Sequence, residues 1–169
     1  MIREATVKDA ARIAEIEVNS SRFAYKNVVS DECLFNDLNV DSRIPVYTNW
    51  IEQKRFELYV YEDHDTGIIK GMMGIGKCED EDKTDAFELH FIYLDPEFVR
   101  NGIGSEMLEF FEGKGKGRGS SEFVIWVLDK NAMGISFYEK HGYQPDGKDK
   151  IFKRWGTREI RYVKSISES

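Results

Sequence analysis

The sequence predicts a mixed α/β domain, a central mixed sheet flanked by helices, with its first half largely antiparallel. Three observations carry this. Apolar residues recur near helical spacing up to Lys54, and from Phe56 the period changes to two. A turn signal, His64-Asp65-Thr66-Gly67, joins two such alternating runs. After Gly102 the pattern becomes helix, strand, helix, strand, the order of an α/β chain.

The elements follow in order. Ile2 to Ala5 reads as a short strand, and Thr6-Val7-Lys8-Asp9 as a turn capping a helix through Ala10, Ile13, Ala14 and on to Ala24. Ser30-Asp31-Glu32 starts a short helix through Leu34 and Leu38. Asp41 to Lys54 reads as another, with Pro45 in its first turn. Phe56, Leu58 and Val60 alternate with Glu57, Tyr59 and Tyr61, and Ile68 to Gly76 completes a hairpin. Glu79 to Asp85, with five acids and one lysine, reads as a solvated hairpin tip, with an acidic binding loop as the alternative. Phe87 to Leu94 is a third strand. Gly102 to Glu112 has a helical face at Ile103, Met107, Leu108 and Phe111. Gly113 to Gly119, alternating glycine with lysine and arginine, reads as a flexible solvated connector, or else a phosphate or nucleic-acid site. Glu122 to Leu128 is a buried strand, and Asn131 to His141 a helix ended by Gly142. Ile151 to Trp155 and Glu159 to Val163 are late strands about a turn at Gly156.

The 169 residues suit one domain, 1–169, without repeats or linkers. A chain of this size buries roughly 70% of its unfolded surface and needs no disulfide or metal to fold. With 41% hydrophobic and 33% charged residues it is neither disordered nor membrane-spanning. Its longest apolar run, Phe123 to Leu128, is far short of the ~20 residues a span requires. The charged start, Met1-Ile2-Arg3-Glu4, is unlike a signal peptide. A net charge of −7 argues against nucleic acid as a partner and favours cationic ones. Cys33 and Cys78 form no metal or disulfide pattern and have no nearby histidine pattern. The expectation is a reduced, cytoplasmic setting, no metal and no covalent role for either thiol.

The most informative stretch runs from Glu88 to Ser105. A strand ends at Asp95-Pro96, a loop follows, and Gly102-Ile103-Gly104-Ser105 opens a helix. Glycines let a backbone approach a ligand closely, and free N–H groups at a helix start favour anions. A phosphate or pyrophosphate site follows. It is not a Walker loop, which needs Gly-Lys-Ser/Thr. Nor is it a dinucleotide fingerprint, because Met107 stands where a third glycine belongs.

This run resembles the coenzyme A-binding segment of the GNAT superfamily of acyl-CoA N-acyltransferases, whose pattern is Gln/Arg-x-x-Gly-x-Gly/Ala after a strand. Gly102 and Gly104 match its glycines, whereas Val99 replaces the first position. Asn131 to Tyr143 resembles the family's Asn-x-x-Ala-x-x-Phe-Tyr-x-x-x-Gly-Phe, with Gly134 for the alanine and Tyr143 for the last phenylalanine. Ile2 to Asp9 resembles its first strand and turn. The resemblance implies the GNAT fold and acetyl-CoA as cosubstrate. It implies coenzyme contacts from Arg100, Asn101, Gly102, Ile103, Gly104, Ser105 and Asn131. It also implies a bulge that splays the central strand, so that Ile92, Tyr93 and Leu94 offer backbone groups to the pantetheine arm.

It further implies an N-acetyltransferase acting by direct amine attack on the thioester; the net charge of −7 and the tyrosines and acids of the first helices point to a small, polyamine-like primary amine as acceptor. Acceptor walls would come from Asn19 to Tyr47 and Gly147 to Thr157, with Tyr25, Asp31, Glu32 and Tyr47 attracting cations. A protein-directed acetyltransferase and a non-catalytic coenzyme A sensor are the alternatives, and relatives commonly dimerise through late strands. Neutralising a lysine-like amine near pH 7 costs ~4.6 kcal/mol from a pKa of about 10.4. Glu88 matches a family position that holds a base, or else is a cross-strand carboxylate. His90 shares its face and is a site residue or a structural histidine. Tyr138 matches the tyrosine that protonates the leaving sulfur, its phenol being close to a thiol in acidity; its other reading is a core aromatic beside Phe137. Asn131 serves as a coenzyme contact, a helix cap, or both.

Overall fold

The computed structural model describes residues 1–166. Seven strands form one sheet in the order β1-β2-β3-β4-β5-β7-β6. They are β1 (Ile2–Glu4), β2 (Glu57–Glu62), β3 (Ile69–Lys77), β4 (Ala86–Leu94), β5 (Glu122–Leu128), β6 (Gln144–Phe152) and β7 (Thr157–Ser165). All neighbours are antiparallel except β4 and β5, which run parallel because helix α3 (Ile103–Gly117) crosses over between them. The expected mixed architecture with an antiparallel first half is what the chain adopts.

Helices cover both faces. On one, α1 (Ala10–Ala24) and α2 (Val40–Glu52) bury Ile13, Ile16 and Tyr47 against Leu58, Val60 and Met72. On the other, α3 and α4 (Ala132–Lys140) bury Met107, Phe111 and Tyr138 against Leu89, Phe123 and Ile125. Each apolar stripe has the three-to-four spacing that the sequence displays.

Four expectations need correction. Pro45 is the sixth residue of α2, beyond its first turn, so the helix accommodates a missing N–H. The segment after Ser30 is a single π-helical stretch, Glu32–Asp37, closed by the Leu38 N–H on Cys33 O. The first late strand begins at Gln144 and ends at Phe152, while residues 153–156 make the turn. It is an exposed edge strand with an irregularity between Pro145 and Asp149, so no apolar alternation marks it.

The fourth correction concerns the glycine–lysine run. It continues α3 through Gly117, and only Arg118 and Gly119 turn out of the helix. A Cβ at Gly115 would stand 2.6 Å from Phe123 Cε1 and 2.9 Å from Phe87 Cδ1. Glycine there lets the helix lie directly on two buried rings. Gly115→Ala gains up to ~1 kcal/mol of helix propensity and loses about 1–3 kcal/mol to overpacking. A lower melting temperature is the expected result, read by circular dichroism; an unchanged or higher one would contradict this packing.

The acidic loop between β3 and β4 is also less solvated than its composition suggests. Arg161, only 2% exposed, pairs with Asp80 at 3.0 Å, Asp82 at 2.7 Å and Asp146 at 2.8 Å. Trp126 Nε1–H also donates to Asp80 at 3.1 Å. The loop is thereby tied to β5, β6 and β7, where β7 supplies the arginine.

Candidate active site

The site begins with an interrupted pairing. β4 and β5 are bonded only from Ala86↔Glu122 to Leu89↔Ile125. Immediately afterwards the β3–β4 register shifts: Gly74 faces Phe91 and Ile75 faces Leu89, leaving His90 as an extra residue. Such a bulge bends and twists its strand. Beyond it β4 pairs with β3 alone and β5 with β7 alone. The β5-facing edge of Ile92, Tyr93 and Leu94 is therefore open. Gly74 allows the bend, since a Cβ there would fall 2.3 Å from Phe91 Cζ.

Two cavities flank this opening. The first, about 470 Å³, is walled by Ile92, Tyr93 and Leu94 of β4, the turn before α3, and the face of α4 carrying Asn131, Phe137 and His141. In the turn, Arg100 has φ 65° and Gly102 φ 81°, both left-handed. The first bond of α3 runs from Glu106 N–H to Gly102 O at 3.1 Å, so the N–H groups of Ile103, Gly104 and Ser105 have no helical acceptor. Gly104 abuts the Phe137 ring and Leu94, each about 3.4–3.5 Å from where a Cβ would stand. This is a concave run of backbone donors at a positive helix end, suited to a phosphate or pyrophosphate.

Of the residues singled out in the sequence, Ile92, Tyr93, Leu94, Arg100, Gly102, Gly104, Ser105, Asn131 and Tyr138 line this cavity. Asn101 and Ile103 do not. Asn101 is exposed, and the Ile103 side chain turns into the core, leaving only its backbone to the turn. Val99, the departure from the motif, lines the cavity with an apolar side chain.

Asn131 is a helix cap as well as a wall residue: its Oδ1 accepts from Gly134 N–H at 3.0 Å. A Cβ on Gly134 would lie 2.6 Å from Asn131 Nδ2, so this glycine gives the amide its room. Sequence reasoning passed over His141. Its Nδ1–H donates to Phe137 O at 2.8 Å, which leaves Nε2 of the neutral ring to accept from the Ser105 hydroxyl at 3.0 Å. Helical spacing from Phe137 was the available signal.

The second cavity, about 520 Å³, lies under α1, α2 and the β6–β7 turn. Tyr25, Ile92, Tyr93, Asn131 and Tyr138 line both cavities, so the two meet at the splayed strands. Burial holds the Tyr138 hydroxyl well above the ordinary phenol range, wider of a thiol than sequence reasoning expects. No hydrogen bond from it is found among the described residues.

Glu88, 7% exposed, faces this second cavity. Burial pushes its carboxyl up, but His90 Nδ1 at 3.3 Å and the Glu79 N–H at 3.3 Å outweigh that, holding it below the usual carboxylate range. His90 lines the same cavity against the Phe56 ring.

Tyr25 and Tyr47 line it as expected, whereas Asp31 and Glu32 are exposed and do not. Instead the carboxylates come from Glu17, Glu79, Glu88 and Glu159. Glu17, 2% exposed, pairs with Arg43 at 2.6 Å and with Arg154 of the β6–β7 turn at 3.1 Å. Its signal was present: a glutamate four residues after Ile13 on the apolar stripe of α1. Trp155 from the same turn packs edge-on to Tyr25. Burial, with Glu159 and Glu17 nearby, pushes Tyr25 up to about 12.

The sequence pattern of the Acetyltransferase (GNAT) family matches residues 24–143. The chain belongs to that family. Its activity is acetyl-CoA-dependent N-acetyl transfer of the GNAT type. This GNAT enzyme is 28% identical over 145 residues to the uncharacterized N-acetyltransferase YuaI of Bacillus subtilis (strain 168), covering 86% of this chain and 79% of that protein. It is 26% identical over 156 residues to the spermidine N(1)-acetyltransferase of Thermoplasma acidophilum, covering 90% and 95%. Its fold is like that of the PaiA N-acetyltransferase of Thermoplasma acidophilum, whose crystal structure is in complex with coenzyme A; the TM-score is 0.78 at 20% identity, with 95% and 96% covered. No helix among the described residues is long and apolar enough to cross a membrane.

Proposed function

We propose that this GNAT enzyme acetylates a small primary amine of polyamine-like character. In this reading acetyl-CoA occupies the first cavity and the amine the second. The observation that carries it is the meeting of two cavities at Tyr138, in the gap between β4 and β5. The acceptor side is a concave, aromatic-rich cavity of about 520 Å³, a size suited to a small molecule. Tyr25, Tyr47, Trp50, Phe56 and Trp126 give it aromatic faces that attract ammonium groups, and Glu88 and Glu159 add carboxylates with no lysine or arginine ion pair among the described residues. Of the cations on its wall, Arg43 and Arg154 are engaged by Glu17, and Lys150 and Lys153 are exposed side chains. The likeness to a spermidine acetyltransferase supports the same class.

The α3 turn donates its backbone N–H groups, from Arg100 to Ser105, to the pyrophosphate. The open edge of Ile92, Tyr93 and Leu94 pairs with the pantetheine arm, and one N–H of that edge donates to the thioester oxygen. The amine nitrogen forms a bond to the acetyl carbon as the carbon–sulfur bond breaks. Glu88, ionised at neutral pH, takes the amine proton through water. Tyr138 gives its proton to the sulfur and regains one from solvent.

A screen of acceptors with acetyl-CoA, followed by thiol release, tests the assignment. Spermidine and related amines should give the highest kcat/KM. Preference for neutral alcohols or peptide N-termini would overturn the acceptor class.

A further inference from the structure

We propose that Glu159 and the face of Trp126 hold a second ammonium group of the acceptor, so that the enzyme selects amines with two separated positive charges. This rests on the acceptor reading above and adds the residues that set its selectivity. Three of the four glutamates lining the acceptor cavity are already occupied. Glu17 is held by Arg43 and Arg154, Glu79 by Arg55 at 2.6 Å, and Glu88 by His90. Glu159 has no ion pair among the described residues, although it is half-buried in the cavity wall. Burial, with the like charge of Glu88, raises its carboxyl above the usual range, and the charge of Lys150 offsets this only in part.

The cation nearest in register is Lys150, opposite Glu159 across β6 and β7. Its ammonium does not sit on the carboxylate. It lies over the Trp126 ring, 3.9 Å from the centroid. A primary alkylammonium thus already occupies that aromatic face, carried by an exposed side chain that is free to swing away. A substrate ammonium taking the place of Lys150 would lie over the ring within the field of Glu159, and without the tether of a side chain it could close on the carboxylate.

Spacing argues for an extended acceptor. Glu88 is aligned with Val124 and Glu159 with Leu128, four residues apart along β5, or about 13 Å of strand. The reacting amine belongs near Glu88 and Tyr138. The two carboxylates still feel each other's charge, so both face one cavity; a monoamine held at Glu88 leaves Glu159 unmatched, whereas the chain of a triamine carries a second charge to it.

Steady-state kinetics with spermidine and butylamine, on the parent, Glu159→Gln and Lys150→Met, tests the proposal. Glu159→Gln should raise KM for spermidine by about tenfold or more. It should leave kcat and the butylamine KM near the parent values. Lys150→Met should lower the spermidine KM, because it removes a competing cation. Opposite shifts from neighbouring substitutions are not what a merely structural role produces. An unchanged spermidine KM in Glu159→Gln, an equal loss with butylamine, or a rise in Lys150→Met overturns the proposal. If the parent acetylates spermidine and Glu159→Gln does not discriminate, this inference alone fails. If the parent acetylates neither amine, the acceptor reading fails and this one with it.

Discussion

Gly102→Val is expected to abolish coenzyme A binding while the protein stays folded. Gly102 sits at φ 81°, where a β-branched residue is strained by about 1–3 kcal/mol. Nothing lies within 4 Å of a Cβ built there, so crowding inside the protein is not the cause. The turn would relax toward negative φ, and the N–H groups of Ile103, Gly104 and Ser105 would swing off their common target. The core loses nothing, since the turn is exposed. Affinity for coenzyme A by titration calorimetry should fall by at least ~10²-fold, equivalent to about 2.7 kcal/mol. The far-ultraviolet spectrum should match the parent's. Unchanged affinity in a folded variant would remove the cradle assignment.

Tyr138→Phe should bind acetyl-CoA as the parent does and turn over about 10²-fold more slowly, the low end for a general acid–base group. Burial raises the Tyr138 pKa, so the phenol keeps its proton at every pH where an ordinary tyrosine would, and to higher pH still. A fall in parent activity near pH 10 is therefore not the loss of this proton. Glu88 behaves oppositely: its carboxyl is held low, so it is ionised across the neutral range. Glu88→Gln should lower kcat near pH 7, where an amine of pKa about 10.4 is almost wholly protonated. It should cost less at high pH, where the amine is already neutral. Tyr138→Phe turning over like the parent, together with an unchanged profile in Glu88→Gln, would refute the paired proton transfers and leave only the coenzyme cradle.

The fold was legible wherever a segment has one apolar face. The stripe Ile103, Met107, Leu108 and Phe111 marked α3, and the unbroken run Phe123 to Leu128 marked β5 within its bounds. Edge strand β6 escaped because exposed charged residues carry no alternation. The end of α3 escaped because glycine reads as a breaker until the rings of Phe87 and Phe123 show what it makes room for.

The coenzyme side of the candidate site was equally open to reading, since a turn of fixed backbone shape demands particular residues at particular spacing. The acceptor side was legible in part: Tyr25, Tyr47 and the stretch from Gly147 to Thr157 were expected walls, and both tyrosines and residues 150–155 line the cavity. Glu17, Trp126 and Glu159 come from α1, β5 and β7, and no local rule links them. Only their convergence on one cavity distinguishes them from ordinary surface charges and core aromatics.

The gap between β4 and β5 divides the chain's labour. The cradle is built mainly from one stretch, β4 through α4, while the acceptor wall shares β4 with it and draws also on β5, α1, α2 and the late hairpin. Few residues belong to both. Substitutions in the wall can therefore retarget the enzyme to a new amine without disturbing how it holds its acyl donor. In such a molecule the acceptor can be changed while the donor stays the same, which is the behaviour of a tool with a fixed handle and an exchangeable bit.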